Sequence, residues 1–248
     1  MVESRRFDRT ERLTGAEGME RLRRARVIIF GVGGVGSWAA EALVRTGVGH
    51  LTLVDADTVA ETNINRQCEA TALTVGEIKI EAMARRLREI NPEADLELVN
   101  GRYTAATADS FDPEKYDFVI DAIDSLADKA LLLLNAADAR HPGVASSMGA
   151  ALRMDASRVS VAEFWKVTGC PLAAALRSRF RRQGVRPRRK IKCVYSDEPA
   201  MKNLGAALAP DGTMTYGKVA VNGSLCHITA TFGMNLAGLA ISHIINRD

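Results

Sequence analysis

The sequence predicts an α/β protein of the Rossmann type, with a mostly parallel sheet covered by helices on both faces. A β-branched run over residues 26–30 leads through a glycine-rich turn into an amphipathic stretch that ends near Thr46. Strand-like and helix-like patterns then alternate, as expected when each parallel strand is reached by a helical crossover. With 248 residues and 47% hydrophobic composition, the chain can bury one large core, so we expect one domain over residues 1–248.

The elements after this first unit follow in order along the chain. A second strand is predicted over residues 51–54 and ends on Asp55. A helix over residues 75–90 stops at Asn91, because the residue before a proline disfavours the helical conformation. The remaining elements of residues 1–150 are strands over 96–99 and 118–120, a helix over 125–139 and a strand near Val144.

The pattern changes after residue 150. Short strands are predicted over residues 158–161 and 191–195, and a long apolar helix over residues 224–245. That helix is long enough to cross a bilayer, but its histidines, Asn235 and hydroxyl side chains favour burial in a protein core. We therefore expect no stable membrane insertion, and expect residues 151–248 to serve substrate binding and dimerisation.

A basic island, residues 177–192, holds nine lysines and arginines and no acidic residue. The rest of the chain has 24 basic and 30 acidic side chains, so the charge is strongly segregated. Such segregation indicates a polyanionic partner, and RNA is our expectation; a solvated loop is the alternative. The expected nucleic-acid contacts are Arg177, Arg179, Arg181, Arg182, Arg186, Arg188, Arg189, Lys190 and Lys192.

The cysteines and the N-terminus bear on cellular location. Cys68, Cys170, Cys193 and Cys226 are widely spaced and form no C-x-x-C pair of the kind that holds structural zinc. The first residues carry charges without an apolar run, unlike a secretory signal. We expect a reduced, cytoplasmic protein.

A nucleotide site is predicted where the first strand meets the first helix. The sequence there satisfies G-x-G-x-x-G, which lets the backbone approach phosphates at a helix N-terminus, and Asp55 follows at the end of the next strand, where a carboxylate can hold ribose hydroxyls. These features alone fit an NAD-binding module equally well. The glycines concerned are Gly31, Gly33, Gly34 and Gly36.

A dense polar segment beyond Asp55 favours a triphosphate over a nicotinamide ring. Arg66 and Lys79 could neutralise phosphate oxygens, and Asp124, just beyond a predicted strand, could hold magnesium. The full polar set is Asp57, Asn63, Arg66, Gln67 and Lys79, although Asp57, like Asp121, could equally cap a neighbouring loop.

An ordered series of motifs resembles the ubiquitin-activating-enzyme-like (ThiF/MoeB/HesA) adenylyltransferases: GVGGVGSWAAEALVRTGVG, LTLVDADTV, TNINRQ, VGEIKIEAM, INP and VIDAIDS. The resemblance implies that ATP binds with Mg²⁺, that Asp55 takes the ribose, and that Asp124 binds the metal. It places Asn63, Arg66 and Lys79 on the phosphates. The segment Arg6-Phe7-Asp8-Arg9 resembles the motif whose last arginine reaches the partner subunit's γ-phosphate, which implies a homodimer; an exposed charged arm is the alternative.

Within this superfamily, the sequence is most similar to the tRNA threonylcarbamoyladenosine dehydratases. The segments RFDRTERLTG, KCVYSDE and ITATFGMNLAGLAISH carry this resemblance. It implies ATP-dependent cyclisation of a modified adenosine in tRNA through an acyl-adenylate, with a cysteine desulfurase system as a further partner. Cys193 is the candidate reactive cysteine, or else a buried packing residue. The alternative, activation of a ubiquitin-like sulfur carrier at its C-terminal glycine, lacks the paired C-x-x-C motifs common in those enzymes.

Overall fold

The computed structural model describes residues 5–204 and 222–247. Within those residues, seven strands form one sheet in the order β3-β2-β1-β4-β5-β7-β6. All neighbouring strands are parallel except β6 and β7. The predicted mostly parallel Rossmann-type sheet is therefore confirmed. The strands are β1 Arg26–Phe30, β2 His50–Asp55, β3 Asp95–Asn100, β4 Phe118–Asp121, β5 Gly143–Ser147, β6 Val159–Glu163 and β7 Lys192–Ser196.

Helices pack on both faces of this sheet. One face packs against α1, α2, α3 and α6, and the opposite face against α4 and α5, each through its own cluster of buried apolar side chains. Because both faces are covered, β1 is buried at four of its five residues, as a central parallel strand requires. The helices are α1 Asp8–Arg24, α2 Gly36–Thr46, α3 Lys79–Ile90, α4 Leu126–Asp138, α5 Pro171–Gln183 and α6 Cys226–Ile245.

Two helices differ from the sequence prediction. α3 begins at Lys79 rather than near residue 75, because the preceding backbone is already hydrogen-bonded to Val59: the Gly76 N–H donates to the Val59 carbonyl at 2.8 Å, and the Val59 N–H donates to the Glu77 carbonyl at 2.8 Å. α1, which the sequence analysis missed, covers Asp8–Arg24 and has non-helical backbone at Gly15, where φ is 72°.

The residues after 150 complete the same sheet. β7 pairs in parallel with β5, and β6 pairs antiparallel with β7 at the edge, so the two predicted short strands are confirmed. The basic island is not one loop, because α5 includes residues 177–183. Its remaining residues run from the end of α5 to the start of β7.

α6 packs closely on α2. A Cβ built on Gly233 would lie 2.5 Å from the Val35 carbonyl oxygen, so only glycine permits this approach. By length and composition alone, α6 could cross a membrane, but one of its faces lies in the core with Phe232 and Leu236. The predicted burial of the apolar helix is thus confirmed for that face.

Candidate nucleotide site and basic island

The glycine turn between β1 and α2 forms the floor of the candidate site. Gly31 has φ of 89°, and a Cβ there would lie 2.9 Å from the Ala122 carbonyl oxygen. A Cβ on Gly36 would meet the Gly31 carbonyl oxygen at 1.8 Å. Both positions therefore require glycine, and the turn brings the N-terminus of α2, which is favourable for binding anions, to this end of the sheet.

Asp55 is fixed against this turn by backbone donors. The Val32 N–H donates to Asp55 Oδ2 at 2.7 Å, and the Asp57 N–H donates to Asp55 Oδ1 at 2.9 Å. The carboxylate at the end of β2 therefore lies beside the glycine turn, as the sequence predicted. This is the position from which a carboxylate holds ribose hydroxyls in Rossmann-type sites.

Lys79 and Asp57 form an ion pair at the start of α3. Lys79 Nζ lies 3.1 Å from Asp57 Oδ2, and Arg102 Nη2 lies 2.8 Å from Asp57 Oδ1. The Lys79 side chain is only 7% exposed, whereas Asp57 is 42% exposed. Asp57 thus holds two cations at the rim of the site, and a phosphate group could take over either of them. No sequence motif indicates a role for Arg102 here.

Arg66 and Asn63 lie on the segment that passes over the glycine turn. Asn63 is buried and accepts a hydrogen bond from the Ala60 N–H at 3.1 Å, which shapes the segment. A Cβ on Gly34 would meet Arg66 Cγ at 3.3 Å, so the two regions are in contact. Trp38 Nε1 donates to the Arg66 carbonyl at 3.0 Å. Gln67 is also buried here, close to Gly33.

The guanidinium group of Arg66 is electrostatically close to Asp124. Burial lowers the pKa of Arg66, and the carboxylates of Glu69 and Asp124 oppose that shift. The predicted phosphate ligand and the predicted metal ligand therefore lie near enough to interact. An arginine side chain is not deprotonated in proteins, so Arg66 is a cation in this site.

Asp121 and Lys129 form a fully buried ion pair that shapes the loop carrying Asp124. Lys129 Nζ donates to Asp121 Oδ2 at 2.6 Å and to the Ile123 carbonyl at 2.8 Å. The Ile123 N–H donates to Asp121 Oδ1 at 3.1 Å, and Ser146 Oγ donates to Asp121 Oδ2 at 2.6 Å. Asp121 is therefore occupied by protein donors, which favours the loop-capping interpretation over a ligand role. Lys129 was missed because a lysine in an apolar helix gives no sign of its partner.

A cluster of three or more metal-ligating side chains does not occur within residues 5–204 and 222–247. Magnesium commonly binds through one or two carboxylates together with nucleotide phosphates and water, rather than through an all-protein cage. A single carboxylate such as Asp124, beside cations placed for phosphates, fits that second arrangement.

Glu69 is a buried carboxyl group that the sequence analysis did not single out. Among the described residues, neither of its side-chain oxygens has a hydrogen-bond partner, and the same is true of Gln67 Oε1. Burial raises the pKa of Glu69 to about 7; its own backbone N–H, Lys79 and the nearby Ser37 hydroxyl oppose the shift, although neither donor reaches full hydrogen-bond geometry. The polar floor of the site therefore contains unsatisfied groups, as is common where a ligand supplies the missing partners.

The basic island separates into structural and exposed cations. Arg189 lies across the C-terminal end of α4, where its guanidinium group donates to the carbonyls of Ala136 at 3.2 Å and Pro142 at 2.7 Å. Arg177 Nη1 donates to the Phe164 carbonyl at 3.1 Å. Arg177 and Arg189 therefore bind backbone carbonyls of the fold. The other cations of the island are better placed for the predicted RNA contacts. Arg179 is half-buried, and the exposed members are Arg181, Arg182, Arg186, Arg188, Lys190 and Lys192.

Cys193 and Arg9 lie outside the nucleotide site. Cys193 is fully buried in β7, and burial raises the pKa of its thiol, so the uncharged form dominates at neutral pH. That environment is typical of a packing residue. Arg9 is exposed in the first turn of α1, and no hydrogen bond or ion pair joins it to nucleotide-site residues in the described part of this chain.

A family model described as the ThiF family matches residues 7–245. The chain belongs to the ThiF family. Within that family it is similar to the tRNA threonylcarbamoyladenosine dehydratase of Escherichia coli, with 37% identity over 98% of this chain and 92% of the relative. The Bacillus subtilis dehydratase is 40% identical over 77% of this chain and 74% of the relative. The predicted superfamily is confirmed.

Solved structures of this ThiF-family branch match the whole fold. The Escherichia coli dehydratase in complex with ATP superposes with a TM-score of 0.83 at 35% identity, covering 97% of this chain and 93% of that one. Its complex with AMP gives a TM-score of 0.85. A molybdopterin-synthase adenylyltransferase of Escherichia coli is 37% identical over only 56% of this chain and 54% of the relative. The match to the dehydratases therefore extends over a much larger share of the chain.

Proposed function

We propose that this protein is an ATP-dependent enzyme that activates the carboxylate of threonylcarbamoyladenosine in tRNA and drives its cyclisation. The observation that carries the proposal is the match, over nearly the whole of both chains, to a dehydratase that binds ATP. The geometry described above supports it, because the glycine turn, Asp55, Arg66 and Lys79 converge at one end of the sheet.

Each site residue has a role in ATP binding. Asp55 holds the ribose, and the N-terminus of α2 faces the phosphates. Lys79, Arg66 and Asn63 bind phosphate oxygens, which requires Lys79 to leave Asp57 at least in part. The Lys79 side chain is almost fully buried, so little solvent screens its charge. Its attraction to a phosphate oxygen is therefore stronger than at an exposed position.

Mg²⁺ is the cofactor we assign to Asp124. The residues present fit the ion, since Asp124 in the loop after β4 supplies one carboxylate oxygen donor and Mg²⁺ commonly takes its other ligands from nucleotide phosphates and water. When bound, Mg²⁺ would neutralise phosphate charge and orient the pyrophosphate as leaving group. The buried pair of Asp121 and Lys129 keeps the loop in the conformation that presents Asp124.

The chemistry proceeds in two steps. A carboxylate oxygen of the threonyl group attacks the α-phosphorus of ATP, the bond to the bridging oxygen breaks, and pyrophosphate leaves. The carbamoyl group of the same molecule then attacks the activated carbonyl carbon, loses a proton to solvent and expels AMP. Because this second nucleophile is tethered, its effective molarity can reach ~10⁵ M, and no enzyme nucleophile is needed.

The exposed cations of the basic island are the proposed contact surface for tRNA. Their charges can bind phosphates and release counterions, which makes binding dependent on salt. The cytoplasmic location expected from the sequence is compatible with a tRNA substrate. A cysteine desulfurase partner remains a prediction, and the burial of Cys193 gives it no support.

A homodimer with Arg9 acting across the interface completes the proposal. Arg9 is exposed and has no contact with its own nucleotide site in the described chain, so a partner subunit could receive it. Mixing Arg9→Ala subunits with Lys79→Ala subunits should restore part of the activity, because one site of each mixed dimer then has both groups. Mixed dimers without activity would place Arg9 outside the partner's site.

Pyrophosphate exchange with matched substrates tests the activity. Exchange should require tRNA that carries threonylcarbamoyladenosine, and should be absent with the unmodified transcript or with a carrier protein ending in Gly-Gly. Lys79→Ala and Asp124→Ala should each lower turnover by ~10²-fold or more, while the exposed Lys166→Ala should not. Exchange with the Gly-Gly carrier alone would establish the sulfur-carrier alternative.

A further inference from the structure

The basic island contains an aromatic ring placed beneath two arginines. The guanidinium carbon of Arg186 lies 4.5 Å from the centre of the Trp165 ring, and that of Arg181 lies 5.9 Å away. Arg181 belongs to α5 and Arg186 follows it, whereas Trp165 lies in the short turn after β6. Three segments of the fold therefore converge on one positively charged cluster, in which the two arginines are exposed and Trp165 is half-buried.

The turn that carries Trp165 is fixed from behind. The Trp165 N–H donates to Glu163 Oε2 at 2.9 Å, and Arg177 Nη1 donates to the Phe164 carbonyl at 3.1 Å. Phe164 is buried against Phe180, and its ring meets that of Trp165 edge to face at 5.2 Å. The indole is thus held in one orientation before any ligand binds, which limits the entropy lost on binding.

The two arginines are not neutralised by acidic side chains of the described part of the protein. Among the described residues, no carboxylate lies within ion-pair distance of Arg181 or Arg186, and both side chains are exposed. By contrast, Arg188 has Asp138 at 3.6 Å. Two like charges above one ring repel each other, so an anionic partner that contacts both would relieve the repulsion.

We propose that Trp165 holds Arg186, with Arg181 beside it, as a stacking platform for an unpaired nucleotide of the RNA substrate. A guanidinium plane backed by an indole can stack on a base while its charge contacts the adjacent phosphate. Duplex RNA does not present its base faces, so the platform selects unpaired nucleotides. This inference rests on the proposed tRNA substrate.

The matched pair Arg186→Lys and Arg182→Lys separates stacking from charge, because both arginines are exposed and both changes keep the charge. Arg186→Lys should weaken binding of a tRNA transcript about five- to tenfold with an unchanged salt slope, as expected for the loss of one stacked base. Arg182→Lys should change the affinity less than twofold. Binding of a duplex RNA with the same number of phosphates should be unaffected by either change.

Tryptophan fluorescence gives an independent readout. The chain has two tryptophans, Trp38 and Trp165. Saturating tRNA should quench the wild-type emission, and Trp165→Phe should bind tRNA with similar affinity but lose that quenching. Trp165→Leu should match Arg186→Lys in affinity, with unchanged ATP affinity as evidence of folding.

Equal effects of Arg186→Lys and Arg182→Lys, or quenching that persists in Trp165→Phe, would overturn the platform. Failure of the proposed function is distinguishable, because the wild-type protein would then show no pyrophosphate exchange with modified tRNA.

Discussion

Charged residues follow different rules in the two halves of this molecule. At the carboxyl ends of β2 and β4, three acids have a fixed partner: Asp55 accepts from backbone N–H groups, Asp57 pairs with Lys79, and Asp121 pairs with Lys129. In the basic island, residues of one type have different contacts, with Arg189 at a helix end, Arg186 over a ring and others exposed. The strand ends determine the positions of the acids in the nucleotide site. The contacts of the arginines in the basic island depend on residues that are distant in sequence.

The largest expected effect tests how strongly the nucleotide half depends on its buried ion pair. Lys129→Met leaves the Asp121 carboxylate buried without its cation, which should lower the free energy of unfolding by about 3–5 kcal/mol. The double variant Lys129→Met/Asp121→Asn should recover most of that loss. Arg182→Met in the basic island should change the free energy of unfolding by less than about 0.5 kcal/mol. Denaturant unfolding measures all three, and a similar loss in Lys129→Met and Arg182→Met would erase the contrast.

Glu69 makes the stability of the nucleotide half depend on pH. Its pKa is about 7 in the folded chain against an ordinary 4.5, so folding favours the protonated form. This stabilising contribution is complete below pH 4.5 and is lost as the pH rises towards 7. The stability gained in Glu69→Gln should therefore be larger at pH 8 than at pH 5, by about 2 kcal/mol.

Unfolding curves at the two pH values measure this gain. Glu89→Gln, on the exposed side of α3, is the matched control and should show no such difference. If both substitutions respond to pH alike, Glu69 does not differ from a surface carboxylate.

Arg189 and Arg182 of the basic island should differ in their contribution to stability, by a smaller amount. Arg189→Ala removes a charged donor from the carbonyls at the end of α4 and should cost about 1–2 kcal/mol of unfolding free energy. Arg182→Ala should cost less than about 0.5 kcal/mol. Thermal unfolding compares the two variants. Equal stability would mean that the island consists of equivalent surface charges.

The smallest effect concerns the cysteines. Cys193→Ala should leave pyrophosphate exchange within about twofold of the wild type, because the tethered mechanism uses no enzyme nucleophile. In the native protein, iodoacetamide should label the exposed Cys226 while Cys193 stays unmodified. Loss of exchange in a folded Cys193→Ala variant would give this buried thiol a role in the chemistry.

The sequence predicts the nucleotide half well because its motifs are local. A glycine turn after a strand, an acid at the next strand end and a lysine at a helix start each occupy positions that the backbone geometry dictates. The order of β1, β2 and β4 in the sheet then brings Asp55, Lys79 and Asp124 to the same end.

The partners of buried charges could not be predicted in the same way. Lys129 and Glu69 lie in segments that look apolar or unremarkable, and their environments depend on chain segments far away in sequence. The same holds for the basic island: nothing near Arg189 in sequence indicates that it binds the end of α4, more than 45 residues earlier. The pairing of Trp165 with Arg186 likewise exists only after β6 and α5 have packed.

The strand order β5-β7-β6 also sets a sequence of events during folding. β6 precedes β7 in the chain, and among the described residues β7 is the strand that joins it to the sheet. β7 in turn must find β5, and register pairs Ser147 with Val194, so a long loop closes before either strand gains its hydrogen bonds. The cluster of Trp165, Arg181 and Arg186 lies inside that loop. A refolding chain should therefore acquire nucleotide affinity before RNA affinity. A slow step between the two would correspond to the pairing of β7 with β5.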